Sequence, residues 1–337
     1  MPQPTGSDLH VSKLLSNLSV AFMNEPSAYV ADKAFPIITV NKESDSIAVY
    51  RAGDWFRHED TYRAPLTESK GVGFGIETPS TYFCRAHSVH QDISNNDLYN
   101  ADDVFDVQED AVSYTSEKLK ISREVLFGTN FFGTGIWALD LQGQTDTPGA
   151  NEFLCWDQSG STPIEDIEGA KTQVLLRTGL RPNTIIAAER VHKVLKNHTD
   201  IRDHYKYVIG GQISKQQIAA AFEVDNYHVA SAVLESGAEG GTSSMGYLLN
   251  QYGLLLMYVA PRPSKRRGSA GYIFRWNRPL IGGNRGPRMT SRVAQIPMPL
   301  KDGVRIETTI YEDIKLISTS CGVFMNNCIA ANRTIAS

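Results

Sequence analysis

Cys84, His87 and His90 stand three residues apart in STYFCRAHSVHQDI and form the best local metal candidate in the chain. A thiolate with two imidazoles is a ligand set that zinc accepts. The stretch reads as a strand, however, and steps of three send successive side chains to opposite faces. Ordinary strand residues are therefore expected here, and no metal. His192, His198 and His204 recur six apart, which does not align them on a helix. Asp200, Asp203 and His204 offer a carboxylate–imidazole pair, but a solvated face explains them as well. GVGFG (Gly71–Gly75) lacks the full GxGxxG spacing and no helix pattern follows it, so it has no means of cradling a pyrophosphate. A Walker lysine motif and a GxSxG elbow are both missing. Scattered Ser, His and Asp residues specify no triad. The expectation is no enzyme and no cofactor.

Nucleic acid is the next chemistry to weigh. SKQQIAAAFEV, opening at Ser214, has the rhythm of the first helix of a helix-turn-helix. A recognition helix should then bring basic residues to phosphates and bases. No Lys or Arg occurs between Lys215 and Arg262, and Tyr227–Leu234 reads as a strand, so DNA readout is not expected. Base is concentrated further on. Between Gly240 and Lys301 there is no Asp or Glu but there are ten basic residues: Arg262, Lys265, Arg266, Arg267, Arg275, Arg278, Arg285, Arg288, Arg292 and Lys301. Tyr272, Phe274 and Trp276 interleave with them. Three readings stay open: non-specific phosphate contact, a basic surface meeting an acidic one on another subunit, or arginines paired within the fold.

The total charge hides this segregation. The chain has 337 residues, with Lys+Arg 33 against Asp+Glu 37, a net charge of −4. That excludes a uniformly basic nucleic-acid binder. Hydrophobic residues make up 41% and charged residues 21%, which fits a folded globular chain of about two ordinary domains or one large one, and neither disorder nor a fibrous repeat. Four cysteines in this length make no disulfide framework and point to a reducing, cytosolic setting. The start, MPQPTGSDLH, lacks the pattern of a signal peptide. The longest strongly apolar run, Gly253–Ala260, is too short to cross a bilayer as a helix, and no membrane partner is expected.

The elements that must carry these residues are two arms, a long helix and a mixed domain. Residues 9–22 place Val11, Leu14, Leu15, Leu18, Ala21 and Phe22 on one helical stripe. The stripe packs either on the chain's own core or on a neighbour. Ser46–Phe56 and Ser80–Ile93 read as strands. Their connection is far longer than a compact hairpin loop and points to an arm that protrudes and docks on a neighbour, rather than to a mobile loop. Asn100–Phe127 reads as one long helix, with Val104, Val107, Ala111, Tyr114, Ile121 and Val125 as its apolar positions. Asp102, Asp103, Asp106, Glu109 and Asp110 crowd its start, as the helix dipole favours. Residues 134–163, rich in Gly, Thr and Pro, mark a boundary. Beyond it, helices at Ile164–Thr178, Arg190–Asn197, Thr199–Tyr207 and Ser214–Phe222 mix with strands at Asn183–Ala188, Tyr227–Leu234, Gly253–Ala260, Gly271–Trp276, Val304–Ser318 and Cys321–Ile329.

Taken together, several segments resemble the major capsid protein of tailed bacteriophages, the Hong Kong 97 shell fold. The opening VSKLLSNLSVAFMNEPSAYVADKAFPIITVNKESDSIAVYRAGDWFR carries most of the match, at Tyr29–Lys33, Phe35–Pro36 and Tyr50–Phe56. ESKGVGFG, STYFCRAHSVHQDI, the Asp-rich helix start and QIAAAFEVDNYHVASAV continue it in order along nearly the whole chain.

The resemblance implies an α+β fold with an N-terminal arm (1–45), an extended β-hairpin E-loop (46–92) and a peripheral domain with a long spine helix (93–135). A mixed α/β axial domain (136–260) and a return through both domains (261–337) complete it. It implies self-assembly into the hexamers and pentamers of an icosahedral capsid enclosing double-stranded DNA. The protein would reside in the virion and assemble in the host cytoplasm. Rings of this kind come from heterologous contacts that close by rotation. The contacts expected between copies are Leu14, Leu15, Leu18 and Phe22 of the arm, and Trp55, Phe56 and Tyr62 of the E-loop. An acidic set, Asp102, Asp103 and Asp106, would face a basic set of Arg262, Lys265, Arg266, Arg267, Arg285 and Arg288.

Separate scaffolding, portal and decoration proteins are further partners in such assemblies, with packaged DNA touched non-specifically at most. The first amphipathic helix starts near Leu9, so no built-in scaffold segment is expected. Lys70 lies in the E-loop without an identifiable partner, so no lysine–asparagine crosslink is expected. Two alternatives stand beside this reading: an encapsulin-like cellular shell with the same fold, and a nucleic-acid-binding module acting through Lys265, Arg266 and Arg267.

Overall fold

The computed structural model describes residues 23–50, 52–100, 106–205, 213–238, 241–264, 268–279 and 288–330. The expected N-terminal helix with Leu14, Leu15, Leu18 and Phe22 lies outside the described residues. So do Asp102, Asp103, Lys265, Arg266, Arg267 and Arg285, and the side chain of Arg288.

Two sheets organise the chain. The first has six strands in the order Glu152–Leu154, Asp140–Gln144, Gly322–Asn326, Leu254–Met257, Thr184–Ala188 and Asn226–Ala230. Leu254–Met257 runs antiparallel to both its neighbours, and the other pairings are parallel. Two of its interior strands, TIIAA and LLLM, are buried at every position, as expected for strands covered on both faces. One face carries Ile167, Leu195, Ile201 and Ile218 from helices Pro163–Thr178, Glu189–Asn197, Thr199–Tyr205 and Lys215–Ala221, with Phe222 at the C-cap of the last. Phe127, Phe131 and Phe132 come against the other. Local chemistry sets the helix ends. Pro163 opens its helix and Gly179 closes it in the left-handed conformation. Ser214 and Gln217 form a reciprocal capping box. The latter helix leads into strand Asn226–Ala230, so no recognition helix follows it.

The second sheet is built around strand Gly303–Leu316. Arg85–Ser94 runs antiparallel along one edge, from Gly303↔Ser94 to Glu312↔Arg85. The other edge is shared end to end by Ser291–Met298 and Gly271–Trp276. Ile37–Val40 then adds in parallel outside Gly271–Trp276. The chain passes from this sheet to the first and back, since strands on both sides of residues 140–257 belong to the second sheet.

The long helix spans Val107–Phe131, 25 residues, a rod of about 37 Å. It starts later than Asn100: a separate short helix, Asn95–Asn100, precedes it. Its buried positions correct the apolar stripe read from the sequence. Ala111, Thr115, Glu117, Leu119, Glu124, Phe127 and Phe131 are buried, whereas Tyr114 and Val125 are exposed. The physical reason is that the helix serves two neighbours on different flanks. The second sheet takes one flank, where Thr115 Oγ1 lies 2.8 Å from Thr308 Oγ1. The segment after Met23 takes the other.

Strands Ser44–Tyr50 and Ile76–Phe83 pair antiparallel, with an irregularity between Ile47 and Val49. The expected strand Ser46–Phe56 therefore stops short. Residues Ala52–Trp55 form a helical turn instead, in keeping with the poor strand propensity of Ala-Gly-Asp. Asp54 closes the turn by accepting the Gly75 N–H at 2.8 Å. The expected strand Ser80–Ile93 is likewise divided at Cys84, and Tyr227–Leu234 is divided into Asn226–Ala230 and Val233–Glu235.

Candidate intersubunit surfaces

Reactive chemistry finds little support in the geometry. Cys84, Cys155, Cys321 and Cys328 are free and buried, and burial pushes every one of these thiols up, Cys84 to about 12. They pack as small apolar groups. His87 is half-buried and His90 exposed, and Cys84 turns inward toward the Phe274 carbonyl. No group of three or more possible metal ligands gathers among the described residues. Ser161 and His198 do meet, Oγ to Nε2 at 2.9 Å. Nδ1 of that ring accepts the Asp200 N–H at 3.1 Å, which leaves the proton on Nε2. His198 thus donates to Ser161, and Ser161 donates to the Gln158 carbonyl at 2.8 Å. An imidazole already holding its proton toward the hydroxyl cannot serve as its base, so the pair is a structural relay.

The paired strands Ser44–Tyr50 and Ile76–Phe83 carry a different feature. Tyr50, Trp55 and Phe74 form a mutual ring cluster, with centroids 5.5 to 5.8 Å apart. Such edge-on packing is favourable beyond the area it covers. Trp55 is nonetheless 62% exposed and Phe74 60%. Phe56, Tyr62 and Val72 nearby are exposed as well. Clustered exposed rings of this kind are a candidate interaction surface, unlike scattered single apolar residues. Of Trp55, Phe56 and Tyr62, expected from the sequence as contacts between copies, the structure places Trp55 in this cluster and leaves Phe56 and Tyr62 exposed beside it. The other two rings, Tyr50 and Phe74, were not among the expected contacts. GVGFG held the signal for Phe74: it is the far side of the turn that brings Phe74 against Trp55.

The basic segment resolves into separate roles. Arg275 joins Glu312 at 2.9 Å inside the fold, together with Arg123. Burial alone would raise the Glu312 carboxyl, but the two guanidinium groups outweigh it and hold it below the usual carboxylate value. Arg278 lies over the rings of Trp276 and Tyr311 and bonds the Tyr311 hydroxyl. Lys301 stands 3.9 Å from Asp92. Pairing within the fold thus accounts for Arg275, ring contacts hold Arg278, and Lys301 stays largely exposed beside Asp92, which Arg305 already holds in a fork. Arg262 and Arg292 are exposed. On the acidic side, Asp106 is the N-cap of the long helix and accepts the N–H groups of Gln108 and Glu109 at 3.1 and 3.0 Å.

A further set escaped the sequence reading. Glu124, buried on the long helix, accepts the N–H groups of Val30 and Ala31 at 2.9 and 3.0 Å. Tyr29 donates its hydroxyl to Glu117, about two turns earlier on the same helix. Phe35 packs edge-on against Phe127 and Phe131, with centroids 5.5 and 4.9 Å apart. Asn24 pairs with the Val233 backbone in both directions at 3.0 Å. These bonds fasten residues 24–35 to both the long helix and the strand at Val233. Partners about ninety to two hundred residues apart leave no local pattern to read.

No family model matches the chain. A curated relative, the major capsid protein of Burkholderia phage BcepMu, is 23% identical over 236 residues, 70% of this chain and 74% of the relative. A phage-related protein from Bordetella bronchiseptica superposes with a TM-score of 0.67 at 17% identity, covering 90% of this chain and 93% of that one. The capsid structure of cyanophage P-SCSP1u gives 0.56 at 12% identity, covering 95% and 93%.

Proposed function

We propose that this chain, whose fold is the Hong Kong 97-type shell fold of tailed-bacteriophage capsid proteins, is itself a major capsid protein: a structural subunit that assembles with its own copies into a viral shell. The observation that carries the reading is the separate two-stranded pair Ser44–Tyr50 and Ile76–Phe83, with its exposed Tyr50–Trp55–Phe74 cluster. A lone subunit leaves these rings in water, whereas a neighbour would bury them. The sequence similarity to the phage major capsid protein supports the same role.

In this reading residues 46–92 are the E-loop, the helix Val107–Phe131 is the spine, and the six-stranded sheet is the core of the axial domain. Hexamers and pentamers close around double-stranded DNA through contacts that repeat by rotation. Each interface needs on the order of 1,600 Å² of buried area to be stable alone, and several per subunit allow weaker ones to add up. Charge contributes through Arg262 and the acidic helix start, with DNA touched non-specifically at most. The role is structural, with assembly in the host cytoplasm and residence in the virion capsid. Scaffolding, portal and decoration proteins are its further partners.

Expression of the full chain, alone and with its phage's scaffolding protein, followed by electron microscopy, tests this. Closed shells are expected. Monodisperse monomers under both conditions would refute it.

A further inference from the structure

Gly179 ends helix Pro163–Thr178 with φ at 68° and bonds its N–H to the Leu175 carbonyl at 2.8 Å. The tip of the Phe56 ring lies against this glycine. A Cβ built there would stand 2.8 Å from Cζ and 3.0 Å from Cε1. Two constraints therefore meet at one position: the left-handed turn favours glycine, and the ring leaves no room for a side chain. Leu176, one turn earlier and 76% exposed, extends the apolar surface beside it. Yet Phe56 remains 65% exposed, so this seat covers only the edge of the ring.

The segment bearing Phe56 is the connection of a hairpin whose strands pair only with each other among the described residues. Its ties to the rest of the sheet are near its root, where Asp313 accepts the Phe83 N–H at 2.9 Å. An identical copy offers the same glycine seat. Moving the ring from one subunit's seat to another's replaces a contact with its equal, as in the exchange of identical elements between protomers. The exchange also carries Trp55 and Phe74, adjacent to Phe56 and exposed, onto the second copy, where they gain cover.

Resting on the shell reading above, we propose that the Gly179 cap is a docking seat for Phe56. It is filled by the subunit's own arm when the subunit is alone, and by the arm of a second copy in the assembled shell.

The test uses the full chain carrying Arg57→Cys and Leu176→Cys, one residue from the ring and one turn from the seat. The native thiols of Cys84, Cys155, Cys321 and Cys328 are buried, so a short bismaleimide reports the introduced pair. Free subunits should link within one chain, and assembled particles should yield covalent multimers on denaturing electrophoresis. Adding Phe56→Ala should abolish both. Links confined to single chains in particles, or absent from free subunits, overturn the proposal while leaving the shell reading intact. Failure of the wild-type chain to form any particle overturns both.

A second variant guards against loss of assembly by the cysteine pair. Gly179→Asn keeps a residue that tolerates the left-handed turn but fills the seat. Its melting should stay within a degree or two of wild type, since the seat covers only a ring edge, and chymotrypsin should cleave after Phe56 faster in free subunits and in particles alike. Unchanged cleavage at Phe56 in either state of Gly179→Asn overturns the proposal.

Discussion

Arg123 meets Glu312 through two parallel bonds, Nε to Oε1 at 2.7 Å and Nη2 to Oε2 at 3.1 Å, with both side chains largely closed to water. The fork ties the long helix to the central strand of the second sheet, and Arg275 completes it from the neighbouring strand at 2.9 Å. Planar guanidinium groups suit this two-pronged geometry, which lysine cannot reproduce.

Glu312→Gln leaves two guanidinium groups without their counter-charge. Removing one partner of a buried ion pair typically costs about 3–5 kcal/mol, and a fall of that order is expected in urea unfolding of the free subunit. A loss under about 1 kcal/mol would class the fork with surface ion pairs. Because the folded carboxyl is held below its ordinary value of 4.5, its stabilisation is complete above that pH. It fades as acid lowers the pH through the depressed value.

Glu124 behaves in the opposite sense. Burial raises its carboxyl to about 7, even though the Val30 and Ala31 N–H groups and Lys33 pull it down. A raised carboxyl favours the folded state most below its ordinary 4.5, and that benefit is lost as pH rises through 7. Thermal melting of wild type minus Glu124→Gln should therefore change between these limits, with wild type relatively more stable at the acid end. The full swing is up to about 3 kcal/mol. A pH-independent difference would show that the carboxyl is ionised throughout.

Asp106 was read from the sequence as a contact between copies, and the structure gives it a local task as well. Asp106→Ala should cost about 1 kcal/mol in free-subunit stability, and Asp106→Ser should restore most of it. If the alanine variant melts like wild type but assembles poorly, the intersubunit role dominates.

Trp55→Ala and Phe74→Ala remove exposed rings, so the free subunit should melt within a degree or two of wild type, a surface substitution's usual effect. Assembly should suffer far more. A buried aromatic anchor is worth about 2 kcal/mol or more, which raises the critical concentration at least about tenfold. Light scattering against subunit concentration measures this. Equal assembly by both variants would remove the cluster from the interface.

Much of the architecture was legible because it is written locally. Ser214 and Gln217, Pro163 and Gly179, and the uninterrupted TIIAA and LLLM runs each announce their element within a few residues. The faces of the long helix were misread for the opposite reason. Glu117 and Glu124 look solvent-facing until Tyr29, Val30 and Ala31 arrive to bond them. Tyr114 and Val125 look like core, yet both are exposed among the described residues. Trp55 was assigned to a strand because its type favours one, whereas Asp54 and Gly75 decide the turn from opposite sides of a long connection. Arg275 could be counted among ten bases, but only the sheet register places Glu312 opposite it.

The six-stranded sheet carries one more consequence. Gly322–Asn326 lies between Asp140–Gln144 and Leu254–Met257, two strands translated long before it. Until it arrives, those strands have open edges toward each other and Phe324 is missing from its place beside Phe132. A polypeptide broken off before Gly322 therefore cannot close this sheet. This core closes only once the chain has been synthesised through Asn326, and the earlier strands must wait with their edges open until then.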